Sequence, residues 1–114
     1  MVMRMSTGAE GLTVWLSGEL DHHAAREMRE QIDGAIQRSS AKTLWLDFSG
    51  ITFMDSSGIG LIMGRYRLML ARGGALFVVG ASDRLLRVMK LAGLEKLPIW
   101  EPSSTTQHKE VTRR

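Results

Sequence analysis

Segments with the residue pattern of strands alternate with helical segments along most of this chain. The strand-like segments are residues 2–6, 12–17, 43–48, 75–79 and 97–100, and the helical segments begin near residues 24, 56 and 83. Right-handed crossovers turn such an alternation into a largely parallel sheet backed by helices, and the first two strands add an antiparallel pair. The sequence therefore predicts an α/β fold with a mixed, mostly parallel sheet of four to five strands.

A polar segment at the C-terminus limits the predicted domain. With 114 residues, of which 44% are hydrophobic and 24% charged, the chain has the size and composition of one compact unit. We expect this unit to occupy residues 1–101, because residues 102–114 carry almost no apolar stripe and form a polar tail. There is no cysteine, which excludes a disulfide framework or a thiolate zinc site. No signal peptide or membrane span is recognisable, so we expect a cytoplasmic protein.

Two serines follow an aspartate where a predicted strand leads into a predicted helix. The stretch from Phe53 to Gly60 is Phe-Met-Asp-Ser-Ser-Gly-Ile-Gly. An Asp or Ser at a helix start accepts hydrogen bonds from unpaired backbone N–H groups, so ordinary capping explains these residue types. The same N–H groups and the helix dipole would also accommodate an anion such as phosphate. The residues alone leave both interpretations open.

A second unusual block stands at the preceding strand-to-helix junction. It is Gly18-Glu19-Leu20-Asp21-His22-His23, and the first block continues as Leu-Ile-Met-Gly-Arg-Tyr up to Tyr66. Together, in this order and at this separation, the two blocks resemble the STAS-domain anti-sigma factor antagonists. The resemblance extends from about residue 11 to residue 97 and implies the STAS fold.

The resemblance implies a non-enzymatic switch without a cofactor of its own. Unphosphorylated members of the family bind an anti-sigma factor that is also a serine kinase, using ATP and magnesium, and so release its sigma factor. Phosphorylation reverses this binding, and a serine phosphatase resets the switch. The family's phosphoacceptor corresponds to Ser56, and Asp21 matches an acidic residue that lies beside the acceptor. The resemblance also implies a role in sporulation, with no direct contact to nucleic acid or membrane. The alternative is a STAS domain that senses a small ligand or nucleotide without serine phosphorylation.

A partner-binding surface is expected around Ser56. The predicted apolar stripe of the second helix contains Ile59, Ile62, Met63, Tyr66, Met69 and Leu70, which leaves Leu61 and Leu68 on the opposite side. Val88 lies at the rim of the third helix's stripe. Gly60 and Gly64 share one helical face and serve either close internal packing or a flat contact surface. The residues predicted to bind the partner are Glu19, Asp21, His22, His23, Asp55, Ser57, Gly58, Ile59, Gly60, Leu61, Gly64 and Val88.

Other site chemistries have weaker support. Met63 occupies the position of the third glycine that a dinucleotide-binding loop requires. No glycine stands two residues before either serine, so the nucleophile elbow of a serine hydrolase is missing. Adjacent histidines such as His22 and His23 diverge on most backbones and make a poor metal site. The net charge is +3, and the basic residues on the second and third helices suit a solvated surface, an acidic protein partner or, less well, nucleic acid. These residues are Arg65, Arg67, Arg72, Arg84, Arg87 and Lys90.

Two tryptophans lie on predicted strands in alternation with apolar residues. Trp15 stands between Val14 and Leu16, and Trp45 stands between Leu44 and Leu46. Because successive side chains of a strand point to opposite faces, both indoles should face away from the helices. We expect both to be at least partly accessible to solvent.

Overall fold

The computed structural model of the chain describes residues 2–101. Within them, four strands and three α-helices are followed by a short 3-10 turn, Leu94–Lys96. The strands are β1 (Val2–Thr7), β2 (Leu12–Leu20), β3 (Thr43–Met54) and β4 (Ala75–Val79), and the helices are α1 (His22–Arg38), α2 (Ser56–Ala71) and α3 (Asp83–Leu91). The predicted polar tail, residues 102–114, lies outside the described residues.

The four strands form one mixed sheet in the order β1-β2-β3-β4. β1 is antiparallel to β2, whereas β2, β3 and β4 run parallel to one another. Helix α1 packs on β2, α2 packs on β3 and β4, and the two helices contact each other. The predicted α/β class and mostly parallel sheet are thus confirmed.

The predicted edge strand near the end of the domain is reduced to a single bridge. Trp100 bridges Val78 in parallel orientation, and the backbone N–H of Val78 donates to the carbonyl of Ile99 at 2.8 Å. Pro98 interrupts this segment and has no N–H group to donate to a ladder. The sheet therefore has four strands, the lower end of the predicted range.

The hydrophobic core lies between the sheet and the helices. Alternate residues of the parallel strands point into it, as the period of two requires. Helix α1 contributes a stripe at helical spacing, and α3 contributes Leu85 and Met89. The fully buried large side chains include Leu12, Leu16, Leu20, Ile32, Ile36, Leu44, Leu46, Phe48, Ile62, Met69, Leu76 and Met89.

The predicted orientation of α2 is right for Ile62 and Met69, which are buried, and wrong for Leu61 and Leu70. Leu61 was expected on the exposed side but is buried, with only 3% of its surface accessible, whereas Leu70 was expected in the core and is 52% exposed. Leu68 is half-buried and packs against the core. The cause is that apolar residues surround most of this helix, so periodicity does not define one face. The helix takes its rotation from contacts with α1 and the sheet.

The two strand tryptophans are half-buried, as predicted. The guanidinium of Arg4 lies 5.3 Å from the ring centroid of Trp15, and the indole N–H of Trp45 donates to a carboxylate oxygen of Glu101 at 2.8 Å. Both tryptophans occupy the face opposite the buried apolar residues Leu16 of β2 and Leu44 and Leu46 of β3. Polar and charged groups therefore contact the indoles on the side of the sheet away from α1.

Candidate functional site

The N-termini of α1 and α2 lie side by side. Leu20 and Met54 are the last paired residues of the parallel strands β2 and β3, and the N–H of Asp55 donates to the carbonyl of Leu20 at 3.3 Å. Because parallel strands end at the same edge of a sheet, the helices that follow them start together. The two sequence blocks are thereby joined into one site.

An aspartate caps each of these helices. A carboxylate oxygen of Asp21 accepts from the N–H of Ala24 at 2.9 Å, and Asp55 accepts from the N–H of Ser57 at 2.8 Å. The hydrogen bond from Ala24 is the main cause of a lowered pKa at Asp21, and the nearby His23 adds to it. Asp21 is thus held as a carboxylate.

Ser56 is the first residue of α2, and its side chain is exposed. Asp55 performs the capping, so the hydroxyl of Ser56 is not needed for it. Within residues 2–101 this hydroxyl has no hydrogen-bond partner. Ser57, by contrast, is half-buried and is tied to the cap through its backbone. The Ser56 hydroxyl is therefore exposed at a helix N-terminus, a position that suits an anion.

Two depressions flank this pair of helix ends. On one side of α1 lies a cleft, which we call the acidic cleft; three carboxylates line it, those of Glu19, Asp21 and Glu27, against one arginine, Arg26. Between α1 and α2 lies a second depression, the basic groove, whose lining includes three arginines and both histidines of the second block. The predicted contact residues His22, His23, Ser57, Gly60 and Leu61 line this groove.

The other predicted contact residues differ in exposure. Gly58 is buried, and a Cβ there would meet the side chains of Met54 and Leu20, so this glycine serves internal packing. Ile59 is half-buried against the core. Val88 is half-buried on α3 and lines neither depression.

Gly60 and Gly64 face open space. A Cβ built at either position would meet nothing within 4 Å. Of the two roles considered for them, close internal packing is therefore not the role they have in this fold. Gly60 also lines the basic groove, and a glycine inside a helix weakens it by about 1 kcal/mol relative to alanine.

Two features of the site have no counterpart among the predictions. Arg65, expected on a solvated basic surface, is only 7% exposed, and its Nε lies 2.8 Å from a carboxylate oxygen of Asp33 on α1. Its spacing of four residues from Leu61 and from Met69 is the sequence signal for this burial.

Phe53 is 49% exposed at the end of β3, opposite Glu19 in the strand register. In the sequence, Phe53 stands next to Met54, so strand alternation would have placed the two side chains on opposite faces and indicated that one of them is exposed.

The described part of the chain, residues 2–101, has neither a membrane-spanning helix nor a group of three or more His, Cys, Asp or Glu side chains placed to hold a metal ion.

Comparisons with known proteins agree with this geometry. A model of the STAS domain matches residues 2–109. An anti-sigma F factor antagonist of Paenibacillus polymyxa is 43% identical over 91 residues, which are 79% of this chain and 78% of that protein. Among solved structures, the anti-sigma factor antagonist SpoIIAA matches in its unphosphorylated form, with TM-score 0.80, 30% identity and coverage of 98% and 95% of the two chains. The Bacillus cell fate determinant SpoIIAA in its phosphorylated form matches with TM-score 0.74, 31% identity and 98% coverage of both chains. The chain therefore belongs to the STAS domain family.

Proposed function

We propose that this protein is an anti-sigma factor antagonist. In its unphosphorylated form it binds an anti-sigma factor and so releases the sigma factor which that protein holds. The names of the similar relatives support the proposal, and so does the likeness to SpoIIAA, which is known in both phosphorylation states. The observation that carries it is the exposed Ser56 at the start of α2, beside a second capped helix end.

Ser56 is the proposed phosphoacceptor, and the anti-sigma factor is the proposed kinase. The kinase supplies ATP and magnesium, this chain supplies the hydroxyl, and a serine phosphatase restores the unmodified state. The chain itself then needs no catalytic group. The proposal places this cycle in the cytoplasm and makes the antagonist a binding protein.

Charge explains how a phosphate would end the binding. Phosphorylation adds about 1.5 to 2 negative charges at neutral pH. The N–H of Ser57 already donates to Asp55, and that of Ala24 donates to Asp21. These two backbone donors are therefore not free to bind a phosphate. Glu19 and Glu27 line the acidic cleft together with Asp21. A phosphate on Ser56 therefore adds negative charge beside the carboxylates of Asp55 and Asp21, and a partner fitted to the unmodified surface would be repelled by it.

Phosphorylation by the cognate anti-sigma kinase tests the acceptor. We expect the phosphate on Ser56, and we expect Ser56→Ala to abolish labelling while leaving partner affinity and stability nearly unchanged, because Asp55 still caps α2. Mass-spectrometric mapping of the phosphosite and titration calorimetry measure the two results. Ser57→Ala is the matched control and should still be labelled. Phosphate found mainly on Ser57 would contradict the assignment.

The charge mechanism is tested with Ser56→Asp in the same calorimetric titration. One added carboxylate should weaken binding to the anti-sigma factor without unfolding the domain, and the loss should shrink as salt screens the charge. Parental affinity of this variant at low salt would argue against repulsion as the switch.

Gly60→Ala and Gly58→Ala separate contact from packing on one helix. At Gly60 the added methyl meets open space, so we expect unchanged or higher stability, by up to about 1 kcal/mol, together with weaker binding to the anti-sigma factor. At Gly58 it meets Met54 and Leu20, and we expect a loss of about 1–3 kcal/mol. Urea unfolding and calorimetry measure both effects. Full affinity in Gly60→Ala would remove this glycine from the interface.

A further inference from the structure

The basic groove between α1 and α2 is a separate feature from the phosphoacceptor. It has a volume of about 560 Å³ and borders Ser57 and Gly60 of α2. Three arginines line it, Arg26 and Arg29 from α1 and Arg65 from α2, whereas no aspartate or glutamate does. Ser56 is not among its lining residues.

Positive charge in this groove is only partly compensated. The carboxylate of Asp33 lies 2.8 Å from Nε of Arg65, but the buried Nη1 of Arg65 has no hydrogen-bond partner within the described chain. Burial lowers the pKa of Arg65, Asp33 opposes this effect, and the like charge of Arg29 adds to it. Arg26 and Arg29 are exposed side chains near the start of α1. A ligand that brings negative charge would therefore be attracted.

The shape of the groove favours a chain segment over a small ion. Ala25, Leu61 and Gly60 also line the groove, and the space beside Gly60 is open. A small oxyanion is held best by several converging donors, whereas Arg26 and Arg29 are exposed side chains about one turn apart on one helix and border a groove of about 560 Å³. Carboxylate side chains on a peptide segment would pair with the arginines while neighbouring side chains fill the space beside Gly60.

We propose that the basic groove docks an acidic segment of the anti-sigma factor, whose carboxylates pair with Arg26 and Arg29. The inference rests on the proposed function and adds the chemistry of the partner. Together with the acidic cleft on the other side of α1, the groove makes the contact surface dipolar. Opposite charges on two sides of one helix fix the orientation in which a complementary partner docks.

Charge reversal at Arg29 tests the inference. Arg29 lines the basic groove but not the acidic cleft, whereas Arg26 borders both. We expect Arg29→Glu to weaken binding of the unmodified protein to the anti-sigma factor by about tenfold or more at low salt, and to flatten the salt dependence of the affinity. Arg87→Glu, an exposed arginine on α3, is the matched control and should stay close to the parent.

The possible failures are distinguishable in one titration series. If the parent binds, Ser56→Asp binds weakly, and Arg29→Glu behaves like Arg87→Glu, the groove inference is wrong and the proposed function stands. If the parent does not bind, the proposed function fails and the inference with it.

A third experiment titrates inorganic phosphate into isotope-labelled protein and follows the amide NMR resonances of Ser57 and Gly60. Saturable shifts that Arg29→Glu abolishes, combined with unchanged partner affinity, would assign the groove to a small anion and overturn the proposal.

Discussion

Leu61→Ala is expected to lower the free energy of unfolding by about 2–5 kcal/mol. Leu61 is only 3% exposed and belongs to the core, so its truncation removes buried contacts and leaves a cavity. Leu70→Ala is the matched control, because the same change is made on the same helix where the side chain is 52% exposed. That control should change stability by no more than about 0.5 kcal/mol. Urea unfolding of both variants gives the comparison directly.

The size of the difference between these two variants reports the rotation of α2. Comparable, small losses in both would show that Leu61 is not held in the core and would restore the orientation that the sequence pattern predicts. Leu61 also borders the basic groove, so affinity for the anti-sigma factor must be compared at equal concentrations of folded protein. The stability result is independent of whether a partner is available.

The sheet and α1 were predictable because their patterns are unambiguous. β2 alternates buried and half-buried residues over most of its length, and α1 has one apolar stripe with charged residues around it. Both patterns follow from a single buried face. β3 extends to Met54, six residues beyond its predicted end at Phe48, and its pairing with β2 shifts register after Trp15. Such a bulge interrupts the alternation on which the predicted boundary depended.

The rotation of α2 was not predictable from periodicity. Apolar residues and glycines occupy nearly every side of its first three turns, so several faces are equally apolar. The choice among them is made by tertiary contacts: Gly58 allows Met54 and Leu20 to approach the helix. That close approach fixes which side of the helix faces the core. Leu61 and Arg65, three and seven residues further along, are buried on the same side.

The position of the site was predictable, but its basic groove was not. Asp21 and Asp55 each follow a strand, and parallel neighbours end at one edge, so the two capped ends meet as the topology requires. Arg29 and Arg65 lie on helices distant in sequence, and charged residues on amphipathic helices ordinarily face water. Their approach depends on how α1 and α2 pack, which no local pattern encodes.

Asp33→Ala is expected to destabilise the protein by about 2–3 kcal/mol. Breaking a buried ion pair by removing one partner costs about 3–5 kcal/mol, since the other charge is left buried without compensation. Arg65 is buried, whereas the side chain of Asp33 is 33% exposed, so water offsets part of the loss. Glu30→Ala, the removal of an exposed carboxylate from the same helix, is the control and should be nearly neutral.

Replacing Arg65 should lower the free energy of unfolding by less than removing Asp33 does. In Arg65→Met a long apolar side chain fills much of the same space, and the remaining Asp33 carboxylate is partly hydrated. Replacement of a buried charge by an apolar group of similar volume is often close to neutral, so we expect a loss below about 1.5 kcal/mol. In the Arg65→Met background, Asp33→Ala should then lose most of its effect, because no buried charge remains to be left unpaired. Urea unfolding of the four proteins in this double-mutant cycle measures the coupling. Additive losses would mean that burial of Arg65 does not depend on Asp33, and that the contact between α1 and α2 is held by its apolar residues alone.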